Sequence, residues 1–416
     1  MVEAGPSSRT HLFELDLIRG VTALAVVGVH VGAYTLVLAH SSLEQEAQNG
    51  VVSALHFTRE IFLAITAFVL VYIYGSRPIS ARAFWRKRGI GVLVPYVAWS
   101  LFYDWRTKPP LPVGPWLLRA LGDVLTGSAS FQLYYILLSL ELYLVLPWFL
   151  AFIAWAGRRP WRALAISFAI QLIVLSLDYR FVLAGPFANT AVGSFIGSNQ
   201  DRFLPMYQLS LMLGGLAALY LRQVRAFVAR HGGWTLLGLV VALVLLEGNL
   251  IVQTNVTHAG MLYGISVFQP AMALYTVAIA AFLYWIAYRW ATARSPRPPR
   301  AQGIWTQVSN ASFGIYLMHA YLLDIVIYHL VPHLQHLQPE PLVVVGVWAL
   351  VAGGTLAICV VWLYIPGLSR LIGRPCALRR DAGMGRWLDQ TPVAEWIGRR
   401  RRMLAAIMVL SLIHIS

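Results

Sequence analysis

The sequence predicts an all-α integral membrane protein, a bundle of about ten transmembrane helices with both termini cytoplasmic. Three observations carry this expectation. Of 416 residues, 58% are hydrophobic and only 12% are charged, and the mean hydropathy is +0.66, a balance that suits lipid rather than water. Apolar runs long enough to cross a bilayer recur along the chain. The basic residues between those runs alternate, one connection rich and the next poor.

The runs fall at 15–39, 56–75, 89–105, 131–156, 162–178, 203–221, 233–252, 264–288, 308–330 and 341–366. The connection after the second holds Arg77, Arg82, Arg86, Lys87 and Arg88. Those after the fourth, sixth and eighth hold Arg158, Arg159 and Arg162, then Arg222, Arg225 and Arg230, then Arg289, Arg294, Arg297 and Arg300. Past the tenth come Arg370, Arg374, Arg379, Arg380 and the run 399–402. The intervening loops carry few cations, with Arg106, Lys108 and Arg119 in 106–130 as the partial exception. Basic loops stay in the cytoplasm, so an even span number with both ends inside is expected.

The net charge of +15, from 32 basic and 17 acidic residues, belongs to those loops. No basic stripe alternates with exposed aromatics in a soluble segment, so no nucleic-acid partner is expected. The two cysteines, Cys359 and Cys376, have neither metal-site nor disulfide spacing. The short polar start, 1–11, is not a cleavable signal, and the first run is expected to remain as a span. Residues 1–366 make one membrane domain and 367–402 a basic cytoplasmic tail. A proline-rich linker, with Pro296, Pro298 and Pro299, interrupts the domain on the cytoplasmic side. The apolar end, 403–416, is too short to span, and Leu410 to Ser416 reads as a translated sequencing adapter, so a non-native end is expected there.

Arg19 and His30 single out the first run. They are eleven positions apart, which on a helix is about three turns, so they share a face about 16 Å apart along the axis. A snorkelling arginine or a helix-packing histidine explains either alone, and the shared face argues for function. A neutral imidazole can take a proton from an attacking hydroxyl and return it. An arginine at the cytoplasmic end suits a phosphate-bearing ligand. Asp16, one turn before Arg19, is expected to orient the guanidinium. Glu141, inside an apolar run, must pair or protonate. Glu247 and Asn249 either line an acceptor cavity or sit at the interface. The chain carries no phosphate-binding glycine loop, no His-Glu-x-x-His pattern and no Gly-x-Ser-x-Gly elbow, so neither a metal nor a serine nucleophile is expected.

Five stretches carry a resemblance. Leu15-Asp16-Leu17-Ile18-Arg19-Gly20 is followed ten residues past Arg19 by His30. Next come Phe62-Leu63-Ala64-Ile65-Thr66-Ala67-Phe68, then Arg86-Lys87-Arg88 leading to Pro95-Tyr96. Gln132-Leu133-Tyr134-Tyr135 runs on to Glu141-Leu142-Tyr143-Leu144-Val145-Leu146-Pro147, and last comes Ser312-Phe313-Gly314-Ile315-Tyr316-Leu317-Met318-His319. In this order they resemble the bacterial acyltransferase family three, integral membrane enzymes that O-acylate sugars and surface polysaccharides. The resemblance runs from residue 14 to about 366. The departures are Thr66-Ala67 for Ser-Gly, Gly91 for a second arginine and Gln132 for a histidine.

The resemblance implies an acyl-CoA donor, most often acetyl-CoA, a carbohydrate acceptor and a bacterial inner membrane. Catalytic roles fall to His30, with Glu141 and His319 as further candidates. Donor-binding roles fall to Arg19, Arg86 and Arg88, with Asp16 beside them. The alternative function is a multi-span transporter of polysaccharide or acyl groups. The lipid bilayer is the expected surrounding, and nothing in the sequence speaks to oligomeric state.

Overall fold

The computed structural model describes residues 11–75, 80–183, 185–293, 300–334, 336–337 and 340–376. The expected non-native end, most of the basic tail and the proline-rich linker lie outside the described residues. Among the described residues every regular element is helical. In chain order these are α1 (Phe13–Tyr34), α2 (Ser42–Leu55), α3 (Thr58–Tyr74), α4 (Ala81–Thr107), α5 (Val113–Thr126) and α6 (Tyr134–Leu144). Then come α7 (Leu146–Ala156), α8 (Pro160–Leu177), α9 (Ala191–Asn199), α10 (Gln208–Leu219), α11 (Leu221–Ile251) and the turn α12 (Met261–Gly264). The last described elements are α13 (Ala271–Thr292), α14 (Arg300–His329), the turn α15 (Val331–Leu334), α16 (Glu340–Trp362) and the turn α17 (Leu368–Leu371).

Among the described residues, 7 helical stretches are long and apolar enough to cross a membrane, or 8 if α6 and α7 count as one bent span. The protein is therefore a multi-pass membrane protein, and the described residues do not confirm all ten of the expected spans. The expected third span lies in α4, where Arg82, Arg86 and Arg88 crowd the first turns and Asp104 and Arg106 the last. The expected sixth shrinks to the short apolar stretch Leu204–Leu219. The expected continuous fourth span breaks, because α6 and α7 meet at 73°. Pro147 explains the break. It lacks the N–H that would bond the carbonyl four residues back, that of Tyr143. The indole of Trp85 donates to that carbonyl instead, at 2.8 Å.

The exposed faces read as lipid-facing. On α11, Leu236, Leu237, Val240, Val241, Val244 and Leu245 are exposed, while Leu239, Ala242, Leu246 and Leu250 are buried. The two sets fall on opposite faces of one helix, and both are apolar, as a helix in hydrocarbon requires.

α1 occupies the middle of the bundle and packs on α2, α3, α13, α14 and α16. Glu14 forms an ion pair with Arg225 of α11, and the indole of Trp348 on α16 donates to the Leu24 carbonyl at 3.0 Å. Near its far end, the Gln48 amide of α2 donates to the Gly32 carbonyl at 2.7 Å and to Thr35 Oγ1 at 2.9 Å. This satisfies a carbonyl that the end of a helix leaves open. The chain just past α16 also joins the bundle: Ile372 is buried, and the Trp99 indole donates to the Leu371 carbonyl at 3.0 Å. Both cysteines are free thiols.

At one helix crossing, close packing against backbone relies on a glycine. A Cβ on Gly214 of α10 would lie 1.9 Å from the Ala64 carbonyl oxygen of α3. The clash is with backbone, so Gly214→Ala is expected to part the two helices and to destabilise the fold by about 1–3 kcal/mol or more. Thermal unfolding in detergent checks this, and an unchanged midpoint would refute it.

Candidate functional site

The site is built on two helices that lie side by side in the same direction. Asp16 of α1 meets Thr306 and Ser309 of α14, whose hydroxyls donate to its two oxygens at 2.8 and 3.0 Å. One turn on, Gly20 lets the Trp305 ring approach, since a Cβ there would sit 2.7 Å from it. Further on, His30 meets His319. Asp16 also pairs with His11 at 2.6 Å. That hydrogen bond to the carboxylate holds the His11 imidazole above its ordinary pKa. The buried Asp16 carboxylate is thus occupied by three partners. Among the described residues no direct ion pair joins it to Arg19, whose guanidinium it reaches only through its charge.

The rings of His30 and His319 stack, with centroids 5.3 Å apart and planes 25° apart. Phe131 closes on both, at 4.4 Å from His30 and 6.2 Å from His319. His319 is fully buried. Its Nδ1 lies 2.8 Å from the Tyr316 carbonyl and 3.1 Å from that of Ile315. A carbonyl only accepts, so Nδ1 carries the proton and Nε2 keeps its lone pair. That Nε2 has no partner among the described residues. α1 ends at Tyr34, so His30 stands about one turn from the end of its helix, not at its midpoint.

Beside His30 lies a cavity of about 130 Å³. Apolar walls come from Val26, Val29, Phe62 and Val267, and polar walls from His56, Arg59, Gln132, Tyr134, Tyr135 and Tyr316. α2 and α3 deliver His56 and Arg59. Ser41 and Glu44 form a capping box that starts α2, and only His56 and Phe57 separate its end from α3. Arg59 is held by Glu60 at 3.3 Å and lies 5.5 and 5.1 Å from the ring centroids of Tyr207 and Phe268. The Tyr316 hydroxyl of α14 donates to the Gln132 carbonyl, which ties the start of α6 to His319's helix. A larger chamber of about 530 Å³ lies between α1, α3, α8, α10, α11 and α13. Its described lining contains no histidine, acid or cation, whereas the smaller cavity presents His30, His56 and Arg59.

Toward the start of α1, Arg19, Arg88 and Arg374 come close enough for their charges to act on one another. Arg374 donates to the Asn310 carbonyl at 3.0 Å, and the Nε of Arg88 is buried without a partner among the described residues. None of the three makes an ion pair with an acid among the described residues. Asp16 lies within electrostatic reach of Arg19 and Arg374, and three guanidinium groups against one carboxylate leave a net positive charge that suits an anion. Tyr143 and Tyr135 lie within electrostatic reach of Arg19, and Tyr135 also lines the His30 cavity. The basic end and the histidine pair are therefore joined by one wall of α6.

The structure thus brings His30 and His319 together at one place, and Arg19 and Arg88 at another. It does not bring Glu141 to either: that carboxylate meets the Leu204 backbone and is absent from the cavity lining. Arg86 is exposed. Asn249 bonds the Tyr179 hydroxyl at 3.1 Å and Gln269 at 2.8 Å, a network that, like Glu247, stands apart from the cavity lining. Sequence reasoning passed over His56, Arg59 and Tyr135, and it read Arg374 as tail charge. An Arg-Glu pair heading an apolar run was the available signal for Arg59. Among the described residues no group of three acids, histidines or cysteines could hold a metal.

An all-helical membrane bundle with a stacked histidine pair, one of the two lining a cavity, and a basic cluster toward the start of the same helix defines the class. The acyltransferase domain of acyltransferase family 3 matches residues 12–365. The chain belongs to that family. No curated protein and no solved structure matches the chain.

Proposed function

We propose that this membrane acyltransferase moves an acyl group, acetyl first of all, from acyl-CoA to a hydroxyl of a carbohydrate such as an exopolysaccharide or cell-surface glycan. The observation that carries the reading is the stacked His30–His319 pair beside a cavity, on the same helix as the Arg19 cluster. Arg19 and Arg88, with Arg374 added, hold the CoA phosphates. The pantetheine arm follows the α6 wall past Tyr143 and Tyr135 and presents the thioester beside His30, about 16 Å along α1 from Arg19.

His30 acts as the general base. It takes the hydroxyl proton as the acceptor oxygen bonds the thioester carbon, and the carbonyl electrons move to its oxygen. When the C=O re-forms, the C–S bond breaks and His30 returns the proton to the departing thiolate, giving free CoA. Phe131 and the apolar walls limit water, which would otherwise take the place of the sugar hydroxyl.

The test is turnover of acetyl-labelled acetyl-CoA by the purified chain in detergent, alone and with bacterial envelope glycans. Release of the CoA thiol with label on glycan is expected. Glycan binding without CoA turnover would favour the transporter reading instead.

A further inference from the structure

Four polar atoms on residues lining the His30 cavity have no hydrogen-bond partner among the described residues: Nδ1 of His56, Nε of Arg59, Nε2 of Gln132 and Oη of Tyr135. Buried polar groups in native proteins are nearly all paired, because an orphan costs stability. Several orphans around one cavity call for a ligand that completes them. Two of the four can only donate: the Nε–H of Arg59 and the amide N–H groups of Gln132. Unpartnered donors on two residues of the cavity that also presents His30 suit an oxygen that gains negative charge while its neighbour loses a proton.

We infer that Gln132 and Arg59 form the oxyanion hole of the reaction. This rests on the acyl-transfer reading above. When the acceptor oxygen bonds the thioester carbon and its proton passes to His30, the carbonyl electron pair moves onto oxygen. The Gln132 N–H and Arg59 Nε–H donate to that oxygen until the C=O re-forms and the C–S bond breaks.

Both donors are fixed in advance, which is what makes such a site effective. Gln132 is 1% exposed. Its Oε1 accepts from Ser130 Oγ at 2.6 Å, so the amide nitrogen is the free end. The neighbouring Tyr103 hydroxyl donates to the Leu317 carbonyl at 2.7 Å and accepts from the Tyr321 N–H at 3.2 Å; the Gln132 amide nitrogen carries two N–H groups, so a bond to the remaining lone pair of Tyr103 leaves the other free. Arg59 is half-buried, and Glu60 and two aromatic rings hold its guanidinium in place. Removing one preorganised donor of this kind lowers kcat by about 10²- to 10³-fold.

The experiment measures CoA thiol release from acetyl-CoA by the full chain in detergent, for wild type, Gln132→Met, Gln132→His and Arg59→Lys. Gln132→Met keeps length and removes both donors. Arg59→Lys keeps the charge and removes the Nε–H. For Gln132→Met, kcat is expected to fall about 10²- to 10³-fold, with the KM for acetyl-CoA and the melting temperature unchanged. Arg59→Lys should show the same split, and Gln132→His, which restores an N–H, should recover part of the rate. Should Gln132→Met fail to fold, Arg59→Lys decides. Unchanged kcat, or a loss carried by KM and a lowered melting temperature, overturns the oxyanion role while leaving the acyl-transfer reading in place. No turnover by wild type overturns that reading itself.

Discussion

Replacing His30 with alanine is expected to lower acyl transfer by about 10²- to 10⁴-fold, the usual worth of a positioned general base, with the bundle intact. His30 makes ring contacts with His319 and Phe131 rather than holding two helices by hydrogen bonds. The helices on either side are fastened elsewhere, by Asp16 with Thr306 and Ser309 and by Gln48 with Gly32. Loss of the ring therefore removes chemistry more than structure. The measurement is the initial rate of CoA release at saturating acetyl-CoA, beside a melting curve of the same sample. His319→Ala is the companion variant, because the free Nε2 of His319 makes it the nearest rival for the proton. If His30→Ala keeps the wild-type rate and His319→Ala loses it, the base is His319. If both keep it, the histidine mechanism fails.

Much of this arrangement was legible in the sequence, for a definite reason. Arg19 and His30 share one helix, and helical periodicity alone fixes their common face. The Ser312–His319 motif carried His319, and the structure sets it against His30 through the α1–α14 pairing. What a one-dimensional reading could not supply was contact between distant elements. His56 and Arg59 reach the cavity because α2 and α3 join within two residues. Gln132 reaches it because the Tyr316 hydroxyl pins its carbonyl. Arg374 joins Arg19 because the turn after α16 folds back onto α4. Among the described residues, not every apolar run forms one long straight helix, for a related reason. Hydropathy windows see composition, and neither the bend at Val145 nor the charged ends of α4 breaks an apolar average.

The second large effect concerns the guanidinium cluster. Arg19→Ala is expected to raise the KM for acetyl-CoA by about ten- to a hundredfold, since a hydrogen bond to a charged group is worth about 1.5–3 kcal/mol and each 1.4 kcal/mol is tenfold. Arg374→Ala should act in the same direction, although Arg374 lies beyond the ten apolar runs of the sequence. Arg374 also holds the Asn310 carbonyl, so its loss has a structural component that Arg19 lacks. A thioester without the nucleotide, S-acetylpantetheine, separates the two roles. It carries the reacting group and none of the 3′- and diphosphate charge. On it, Arg19→Ala should match wild type, whereas a general loss of fold would lower both substrates alike. The wild-type KM for acetyl-CoA should also rise with salt while that for S-acetylpantetheine holds steady, because screening acts on the phosphate contacts. An Arg19→Ala enzyme equally impaired on both thioesters would remove the phosphate role from Arg19 and place it at the reacting end of the site.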